Sequence, residues 1–417
     1  MTISCHLPDS IEADVLKWCA AQQASMVARL ETLVAINSGS DNPDGINRCG
    51  EQLQQWYRAS FPQLQCQRHH LDGGETLTLN GVMQPRKLGD LWQFRLRPDA
   101  PLQILLCGHL DTVFSPSHPF QQGQYLSANL FRGPGASDMK GGLLVMLNAL
   151  QTLEQHPDAQ QVGWTVLLNP DEEVGSPGSA PWLQQAATQH HLGLVYEPAL
   201  PGGDLAGQRK GSANYTLQVT GRSAHAGRNP EQGRNAIALA AEITLELQRL
   251  NGQQPGLSLN TGVIQGGHST NQVPDKCVLR FNIRIAKPED AIWCQQQLDT
   301  LIDHFRKREG FELRIQGGFS RLPKLLDSAQ LSLYRHVQAL AQELNLALQW
   351  HATGGCCDGN NLAAAGLTNI DTLGVRGSGI HSDQEQIELD SLTERSRLSA
   401  LLLIRLAKSG WPMGERP

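Results

Sequence analysis

Continuous apolar runs of strand length mark the first half of the chain. The runs are LQILLC at 102–107, VGWTVLLN at 162–169 and LGLVYE at 192–197. Strands that are buried on both faces have this pattern, and a helical pattern at 140–155 separates the first two runs. The alternation predicts an α/β fold with a mostly parallel sheet. Helical patterns at 11–35 and 47–60 and an alternating strand at 91–96 precede these runs.

The segment 210–322 has a different pattern, because its strands alternate apolar and polar positions and therefore bury one face only. Its predicted elements are the strand 213–220, the helix 233–250, the strands 257–264 and 276–285, the helix 288–308 and the strand 311–316. This βαββαβ order is typical of a ferredoxin-like α+β unit. Beyond the segment the α/β pattern resumes, with predicted elements at 328–344, 348–352, 358–366, 368–375 and 389–408. We therefore predict an inserted domain at 210–322 within a discontinuous domain that comprises 1–209 and 323–417.

Composition and charge narrow the class of protein. The 417 residues include 34 basic and 40 acidic side chains, for a formal net charge of -6. This balance lacks the basic surface that nucleic-acid binding needs, so we expect no nucleic-acid partner. No apolar run approaches the ~18 residues that span a bilayer, so we expect no membrane association. The N-terminus has no signal-peptide pattern and the nine cysteines form no CxxC motif, which predicts a cytoplasmic protein with reduced thiols.

Side chains that can bind metals or transfer protons follow the predicted strands. GHLD follows the first apolar run, NPDEE follows the second and YEP follows the third. A Gly-rich loop before the helical pattern at 140–155 and a later GIHSD segment add two further candidates. The candidate residues are His109, Asp111, Asp138, Glu172, Glu173, Glu197 and His381. Ligands of open α/β sheets bind at the carboxyl ends of the strands, so we expect these side chains to converge there.

Each candidate also has an ordinary structural explanation. His109 with Asp111 could form a capped turn, Asp138 could be a helix N-cap, and the DEE run could be a solvated acidic turn. Together, two histidines and three carboxylates at strand ends favour a two-metal site. Mixed nitrogen and oxygen ligands suit Zn²⁺, with Mn²⁺ or Co²⁺ as alternatives. Within the DEE run, one carboxylate could bind metal while its neighbour transfers a proton.

Other chemistries fit the sequence less well. In GPGASDMKGG at 133–142, Asp138 stands where GxGxxG needs its third glycine, and GxxxxGK fails as well, so nucleotide binding is disfavoured. The chain contains neither HExxH nor GxSxG, and no histidine is singled out as a partner for Cys356 or Cys357. A phosphate-binding enzyme that uses the Gly-rich loop stays as a weaker alternative.

Six segments, in order, resemble the M20 family of metallopeptidases and deacylases, which includes glutamate carboxypeptidases, acetylornithine deacetylase and succinyl-diaminopimelate desuccinylase. The segments are GHLDTV at 108–113, GPGASDMKGG at 133–142, DEEVGS at 171–176, YEP at 196–198, GRSAHAG at 221–227 and GIHSD at 379–383. The resemblance covers nearly the whole chain. It implies a zinc-hydrolase catalytic domain, an inserted lid and dimerisation domain, and a homodimer.

For the metals, the resemblance implies two Zn²⁺ ions, with Co²⁺ or Mn²⁺ as alternatives. His109 and Glu197 would bind one ion, and Glu173 and His381 would bind the other. Asp138 would bridge the two ions, and its peptide bond to the next residue would be cis. Glutamate rather than aspartate at position 197 favours the carboxypeptidase and deacylase branches over the aminopeptidase branch.

For catalysis, the resemblance implies that Asp111 orients His109 and that Glu172 is the general base. The base would take a proton from the attacking water and pass it to the leaving amine. His225, in GRSAHAG, would stabilise the oxyanion of the tetrahedral intermediate, often from the partner subunit. The implied substrate-binding residues are Asn271, Arg284, Arg321 and Gly355. An arginine suits this task because its planar fork matches a carboxylate.

We therefore predict a dinuclear metal-dependent hydrolase that cleaves an amide bond next to a free carboxylate, most similar to a glutamate carboxypeptidase. Its substrate would be a small peptide or an N-acyl amino acid. Two alternatives stay open: an N-acyl amino acid deacylase of acetylornithine deacetylase or succinyl-diaminopimelate desuccinylase type, and a non-catalytic binding protein that keeps the fold. One departure from the family, Cys357 in GGCCDG where Ser or Thr is usual, concerns the substrate pocket and not the metal ligands.

Overall fold

The computed structural model describes residues 8–411, so the ends of the predicted discontinuous domain, 1–7 and 412–417, lie outside the described part. The helices in this part are α1 (Ser10–Ala20), α2 (Gln23–Val34), α3 (Pro43–Ser60), α4 (Gly141–Leu153), α5 (Ala180–Ala187), α6 (Ala236–Arg249), α7 (Glu289–Arg306), α8 (Ser328–Glu343), α9 (Asp358–Ala364) and α10 (Ser391–Ser409). The strands are β1 (Gln65–His69), β2 (Glu75–Leu77), β3 (Met83–Pro85), β4 (Leu91–Leu96), β5 (Leu102–His109), β6 (Gln124–Tyr125), β7 (Leu130–Arg132), β8 (Val162–Asn169), β9 (Leu192–Val195), β10 (Leu205–Arg209), β11 (Gly211–Thr220), β12 (Ala224–His225), β13 (Ser258–Gly266), β14 (Gln272–Val273), β15 (Lys276–Ile285), β16 (Glu312–Arg321), β17 (Trp350–Thr353), β18 (Asn369–Ile370), β19 (Gly377–Ser378) and β20 (Gln386–Glu388). None of these helices combines the length and the apolar character that a membrane span requires.

A six-stranded sheet with the order β1-β4-β8-β5-β9-β18 lies at the centre of the larger part of the molecule. Its strands β8, β5, β9 and β18 pair in parallel, whereas β1 and β4 add antiparallel pairs at one edge. Along β5, Ile104 and Leu106 pack into the core that contains α4 and α10. Leu105 and Cys107 point the other way, into the core with α5 and α9. Helices thus cover both faces, and the predicted α/β class with a mostly parallel sheet is confirmed.

Strands β13, β15, β11 and β16, in that order, form a second sheet in which every pair is antiparallel. Helices α6 and α7 cover one face, where Leu217 and Leu279 share a core with Ile243 and Leu298. The opposite face carries the polar positions of the alternating pattern. The predicted βαββαβ order of a ferredoxin-like unit is confirmed, and the domain limits of 210 and 322 stay a prediction.

Three predicted elements were wrong in extent, the first being the strand predicted at 311–316, which continues as β16 to Arg321. The helical pattern at 11–35 is interrupted between α1 and α2, and both of these helices pack against α4 and α10. The strand predicted at 368–375 is reduced to β18, because Thr372 has φ 63° and a left-handed residue cannot continue a strand.

The two chain segments that connect the sheets are held together by one buried carboxylate. Arg209, before β11, and Lys324, after β16, exchange backbone N–H···O hydrogen bonds of 3.0 Å in both directions. The carboxylate of Asp371 accepts hydrogen bonds of 2.9 and 3.0 Å from the Arg209 guanidinium and of 2.8 Å from Lys324 Nζ. Asp371 and Lys324 are fully buried. Both crossings between the sheets are therefore anchored to the loop that follows β18.

Candidate active site

The predicted metal ligands are brought together from five separate segments of the chain. His109 ends β5, Glu173 lies in the turn after β8, and Glu197 follows β9, as expected for the carboxyl ends of neighbouring parallel strands. Asp138 lies in the turn before α4 with non-helical backbone angles (φ -116°, ψ 92°), and its peptide bond to Met139 is cis, which confirms the prediction for that bond. His381 lies in the loop after β19.

Asp138 lies between the two histidines. Its Oδ1 is 3.0 Å from His109 Nε2, and its Oδ2 is 3.4 Å from His381 Nε2. Glu197 Oε1 is 3.9 Å from His109 Nε2, and Glu173 Oε2 is 3.2 Å from His381 Nε2. The five side chains thus form two groups, each with one histidine and one glutamate, that share the two oxygens of Asp138.

Glu172 is buried beside the first of these groups. Each of Glu172, His109 and Glu197 contributes one possible ligand atom, and these three atoms lie within 4.8 Å of one another. Glu172 Oε1 also lies 2.8 Å from Arg321 Nη2, and the same nitrogen donates to the Glu172 carbonyl at 3.0 Å. The arginine therefore fixes both the side chain and the backbone of this glutamate.

Asp111 supports the site through two different groups. Its carbonyl oxygen lies 2.9 Å from His109 Nδ1, whereas its carboxylate is 3.5 Å away from that nitrogen. The carboxylate instead accepts backbone N–H bonds of 3.1 Å from Glu172 and from Glu173, and a 2.8 Å bond from Ser40 Oγ. The backbone of Asp111 thus orients the imidazole, while its side chain orients the turn with the two glutamates.

The first carboxylate of the DEE run has a structural task. Asp171 accepts hydrogen bonds from Gly178 N at 2.7 Å, from Ser179 N at 3.2 Å and from Ser179 Oγ at 2.5 Å. These bonds close the loop between β8 and α5. The two carboxylates that follow, those of Glu172 and Glu173, lie beside the predicted metal ligands.

Glu385 is a buried residue of the site that we did not single out from the sequence. Its carboxylate accepts backbone N–H bonds from Gly135 at 3.0 Å and from Ser137 and Asp138 at 2.9 Å each. It therefore holds the turn that presents Asp138. The signal in the sequence is its place four residues after His381, in the same GIHSDQE run.

Burial governs the ionisation of the three glutamates. Burial raises the pKa of Glu172 to about 8, although the positive charge of Arg321 acts in the opposite direction. The pKa values of Glu173 and Glu197 are also raised, first by burial and then by neighbouring carboxylates. Glu197 Oε1 is a buried oxygen without a hydrogen-bond partner among the described residues. Such a concentration of buried carboxylates is stable only with protons or cations to balance it.

The two histidines complete this charge balance. Burial acts to lower the pKa of His109, but hydrogen bonds with Asp111 and Asp138 outweigh it and the pKa is raised. Hydrogen bonds with Asp138 and Glu173 raise the pKa of His381 to about 11. Burial acts to raise the pKa of Asp138, yet the hydrogen bonds from both histidines lower it. Two imidazoles, a shared carboxylate, the Glu173 carboxylate and the unpartnered Glu197 Oε1 are a donor set that fits two divalent cations of the Zn²⁺ type.

His225 and Asn271 lie apart from this cluster. Both are exposed, and they are neighbours because Ala226 N donates to the Asn271 carbonyl at 2.9 Å. In the part of the chain that the structure describes, no hydrogen bond or ion pair joins either side chain to the cluster. Within a single chain, the described structure therefore shows no direct contact of this kind between His225 and the predicted metal ligands.

The other predicted substrate residues lie closer to Glu172. Arg284, on β15, donates to Cys356 Sγ at 3.0 Å and to Asn282 Oδ1 at 2.9 Å. Gly355 is exposed next to this cysteine. Arg321 is buried, and besides Glu172 it contacts Asp358 Oδ1 at 3.3 Å. Its guanidinium is therefore largely engaged within the protein, whereas Arg284 is half-buried and shares Cys356 as a neighbour with Arg321.

Comparison with known proteins identifies the two parts of the chain. Residues 208–309 match the family model of the M20 peptidase dimerisation domain, and residues 94–199 match the model of peptidase family M28. These segments contain, respectively, most of the antiparallel sheet and the strands that carry the predicted metal ligands His109, Glu173 and Glu197.

The chain is 27% identical over 402 residues to carboxypeptidase G2 of Pseudomonas sp., which covers 92% of this chain and 90% of the relative. It is 28% identical over 326 residues to succinyl-diaminopimelate desuccinylase 2 of Shewanella loihica, and this match covers 74% of this chain and 86% of the relative. A solved structure of an M20 family metallo-carboxypeptidase from Sulfolobus solfataricus superposes with a TM-score of 0.72 at 15% identity, covering 92% of this chain and 99% of that one. The chain is therefore a metallopeptidase or amidohydrolase of M20 type, and separate segments of it are similar to the M20 and M28 peptidase families.

Proposed function

We propose that this M20 enzyme is a carboxypeptidase that uses two metal ions to cleave the amide bond next to a free carboxylate, as a glutamate carboxypeptidase does. The observation that carries the proposal is the similarity to carboxypeptidase G2 over 92% of the chain. The half-buried Arg284, which shares Cys356 as a neighbour with Arg321, supports it, because an arginine can bind the free carboxylate with two parallel hydrogen bonds.

The two cations would be held by the two groups that share Asp138. His109 and Glu197 would hold one, and Glu173 and His381 the other. Bound there, Zn²⁺, Co²⁺ or Mn²⁺ would polarise the scissile carbonyl and lower the pKa of the attacking water.

Glu172 would take the proton from the attacking water and deliver it to the leaving amine. A carboxylate can do both when its pKa lies near the working pH, and burial moves Glu172 in this direction. The hydrogen bond of its backbone N–H to Asp111 and its ion pair with Arg321 hold it in one orientation. Such preorganisation limits the loss of entropy in the reaction step.

A second candidate is an N-acyl amino acid deacylase. It is favoured by the similarity to succinyl-diaminopimelate desuccinylase 2, at 28% identity over 74% of the chain. Both activities hydrolyse an amide and leave a free amino acid, so the same residues would perform the chemistry. The two activities differ in the acyl group of the substrate that the site must bind.

We expect the purified protein to bind two equivalents of metal and to lose its activity on chelation. Elemental analysis measures the metal content, and a panel of dipeptides and N-acyl amino acids measures hydrolysis before chelation, after it and after Zn²⁺ is restored. Efficient cleavage of acyl-glutamates and peptides with C-terminal glutamate supports the carboxypeptidase, whereas strict preference for succinyl or acetyl substrates supports the deacylase. Full activity in the chelated protein would contradict a role for metal.

We also expect the exchange of His225 for Ala to lower kcat by about 10²–10³-fold, the usual effect of losing one oxyanion donor, with both metals retained. His225 is exposed, has no hydrogen bond or ion pair with the cluster among the described residues, and lies in the segment that matches a dimerisation domain. We therefore propose that the partner subunit supplies it in a homodimer. Equal losses of kcat and of metal would contradict the oxyanion role.

Mixing two inactive variants tests the origin of His225. In a mixed dimer of Glu172→Gln and His225→Ala subunits, the second subunit keeps its own Glu172 and receives His225 from its partner. After subunit exchange, half of the dimers are mixed and each has one complete site, so about a quarter of the normal activity should return. If His225 acts within its own chain, the mixture stays inactive.

A further inference from the structure

A cleft continues from the candidate metal centre to the open face of the antiparallel sheet. Its first part, of about 760 Å³, is lined by Glu173, Val174 and Arg86. Its second part, of about 480 Å³, shares Val174 and Arg86 with the first and ends at Arg280 on β15. Cavities of this size hold small organic ligands. A substrate bound at the metals can therefore extend into the second part.

A hairpin of β2 and β3 forms the wall of the cleft opposite the sheet. Leu77 N donates to Gln316 Oε1 at 2.7 Å, and Gln316 Nε2 donates to the Glu75 carbonyl at 2.6 Å. Arg280 Nη2 donates to the Leu77 carbonyl at 3.1 Å. These bonds fix the hairpin against the sheet and place Arg86, the residue after β3, beside Arg280.

The second part of the cleft contains two positive charges and, among the residues that the structure describes, no carboxylate in its lining. The Arg86 side chain forms no hydrogen bond or ion pair with another described residue, and Arg280 Nε is buried without a partner. The remaining polar lining consists of neutral side chains such as Thr76, Thr216 and Asn260. Free guanidinium donors in a neutral polar cleft match the chemistry of a carboxylate.

The two guanidinium groups influence each other. Burial lowers the pKa of Arg86, Asp171 acts in the opposite direction, and the charge of Arg280 adds to the decrease. Two cations held close together without a shared carboxylate repel each other, and a bound anion relieves this repulsion. The Asp171 carboxylate is buried and accepts hydrogen bonds from Gly178 N and Ser179 Oγ. It does not line the second part of the cleft.

We propose that Arg86 and Arg280 form a second anion subsite, which binds a carboxylate on the acyl part of the substrate. The assignment rests on the hydrolase proposed above, in which Arg284 binds the free carboxylate next to the scissile amide. Arg280 and Arg284 lie on the same face of β15, four residues apart, which is about 13 Å at roughly 3.3 Å per residue. The preferred substrate is then an acidic acyl or peptidyl amino acid with carboxylates at both ends.

The test compares two series of N-acyl-glutamates with increasing acyl length. In one series the acyl chain ends in a carboxylate, and in the other it ends in a methyl group. We expect kcat/KM to favour the carboxylate series by about tenfold or more at the length that reaches the subsite, mainly through KM. Exchange of Arg86 or Arg280 for Gln should bring this ratio close to one. Arg314→Gln, which removes an exposed arginine from the same sheet outside the cleft, should retain it.

Arg86→Gln is the cleaner variant, because the Arg86 side chain forms no hydrogen bond with any other residue in the described part of the chain. Equal rates for both series at every length would overturn the subsite, as would a preference that survives both substitutions. A phosphate-binding site would also overturn it: inorganic phosphate would then raise the melting temperature through Arg86 and Arg280 while the acyl charge had no effect.

Failure of the hydrolase itself gives a different result. If no substrate is cleaved, calorimetry of the zinc-loaded protein with the best-fitting dicarboxylic N-acyl-glutamate measures binding directly. Weaker binding by Arg86→Gln and Arg280→Gln than by Arg314→Gln would support the subsite in a protein that is not the proposed hydrolase. Equal binding by all three variants would reject the subsite as well.

Discussion

Exchange of Glu172 for Gln is expected to lower kcat by about 10²–10⁴-fold, the range for loss of a general acid or base, while two metal ions stay bound. Gln has the same shape as Glu and can keep its oxygen beside Arg321, but it cannot take a proton from water. Arg321 Nη2 lies 2.8 Å from Glu172 Oε1, so the substituted side chain should keep its position. Steady-state kinetics with elemental analysis of the same preparation measures both quantities.

The metal content decides between two roles for Glu172. Glu172, His109 and Glu197 together could also hold a metal ion, since their ligand atoms lie within 4.8 Å of one another. If the variant loses one metal equivalent together with activity, Glu172 is a ligand rather than the base. If it keeps activity within tenfold of the unchanged enzyme, Glu172 has neither role. Glu312→Gln, at an exposed position on β16, is the matched control and should change neither quantity.

Exchange of Asp371 for Asn is expected to reduce the free energy of unfolding by about 3–5 kcal/mol, the effect of breaking a buried ion pair from one side. The change leaves Arg209 and Lys324 with buried positive charges and no counter-charge. Denaturant unfolding followed by circular dichroism measures the loss. Asp303→Asn removes one partner of an exposed pair with Arg306 and should change stability by no more than about 1 kcal/mol.

The same residue predicts a pH dependence with a definite sign. Burial acts to raise the pKa of Asp371, but Arg209 and Lys324 outweigh it and the pKa is lowered. Its stabilising contribution is therefore complete above the ordinary aspartate pKa of about 3.9 and is lost as the pH falls below that value. The difference in stability between the unchanged protein and Asp371→Asn should narrow at acidic pH. A difference that stays constant down to pH 2 would contradict the ion pair.

Much of the fold could be predicted from the sequence because its signals are local. The continuous apolar run in β5 and the alternating pattern in β15 specify burial on two faces or on one, and each strand formed close to its predicted position. The predicted limits of an element were wrong where the backbone changes direction sharply. Thr372, with φ 63°, ends β18 early, and nothing in the side-chain pattern of TNIDTLGV marks this turn.

The candidate metal centre was also accessible from sequence, since its residues follow strands that must end at one edge of a parallel sheet. Connection order alone brings His109, Glu173 and Glu197 together. The role of Arg321 was not accessible in this way. A substrate-binding arginine and an arginine that holds Glu172 have the same sequence signature, and only the geometry shows the 2.8 Å contact.

The sequence by itself determined the periodicity of the elements, their βαββαβ insertion and the order of the segments that carry the predicted metal ligands, because these depend on neighbouring residues and on chain connectivity. Tertiary structure alone decided which distant charges meet. It placed Arg209 and Lys324 on the single carboxylate of Asp371, and it brought Arg86 of the hairpin beside Arg280 of the second sheet. The pairing of such charges depends on how the sheets pack, since side chains far apart in the chain interact only when folding brings them within a few ångströms.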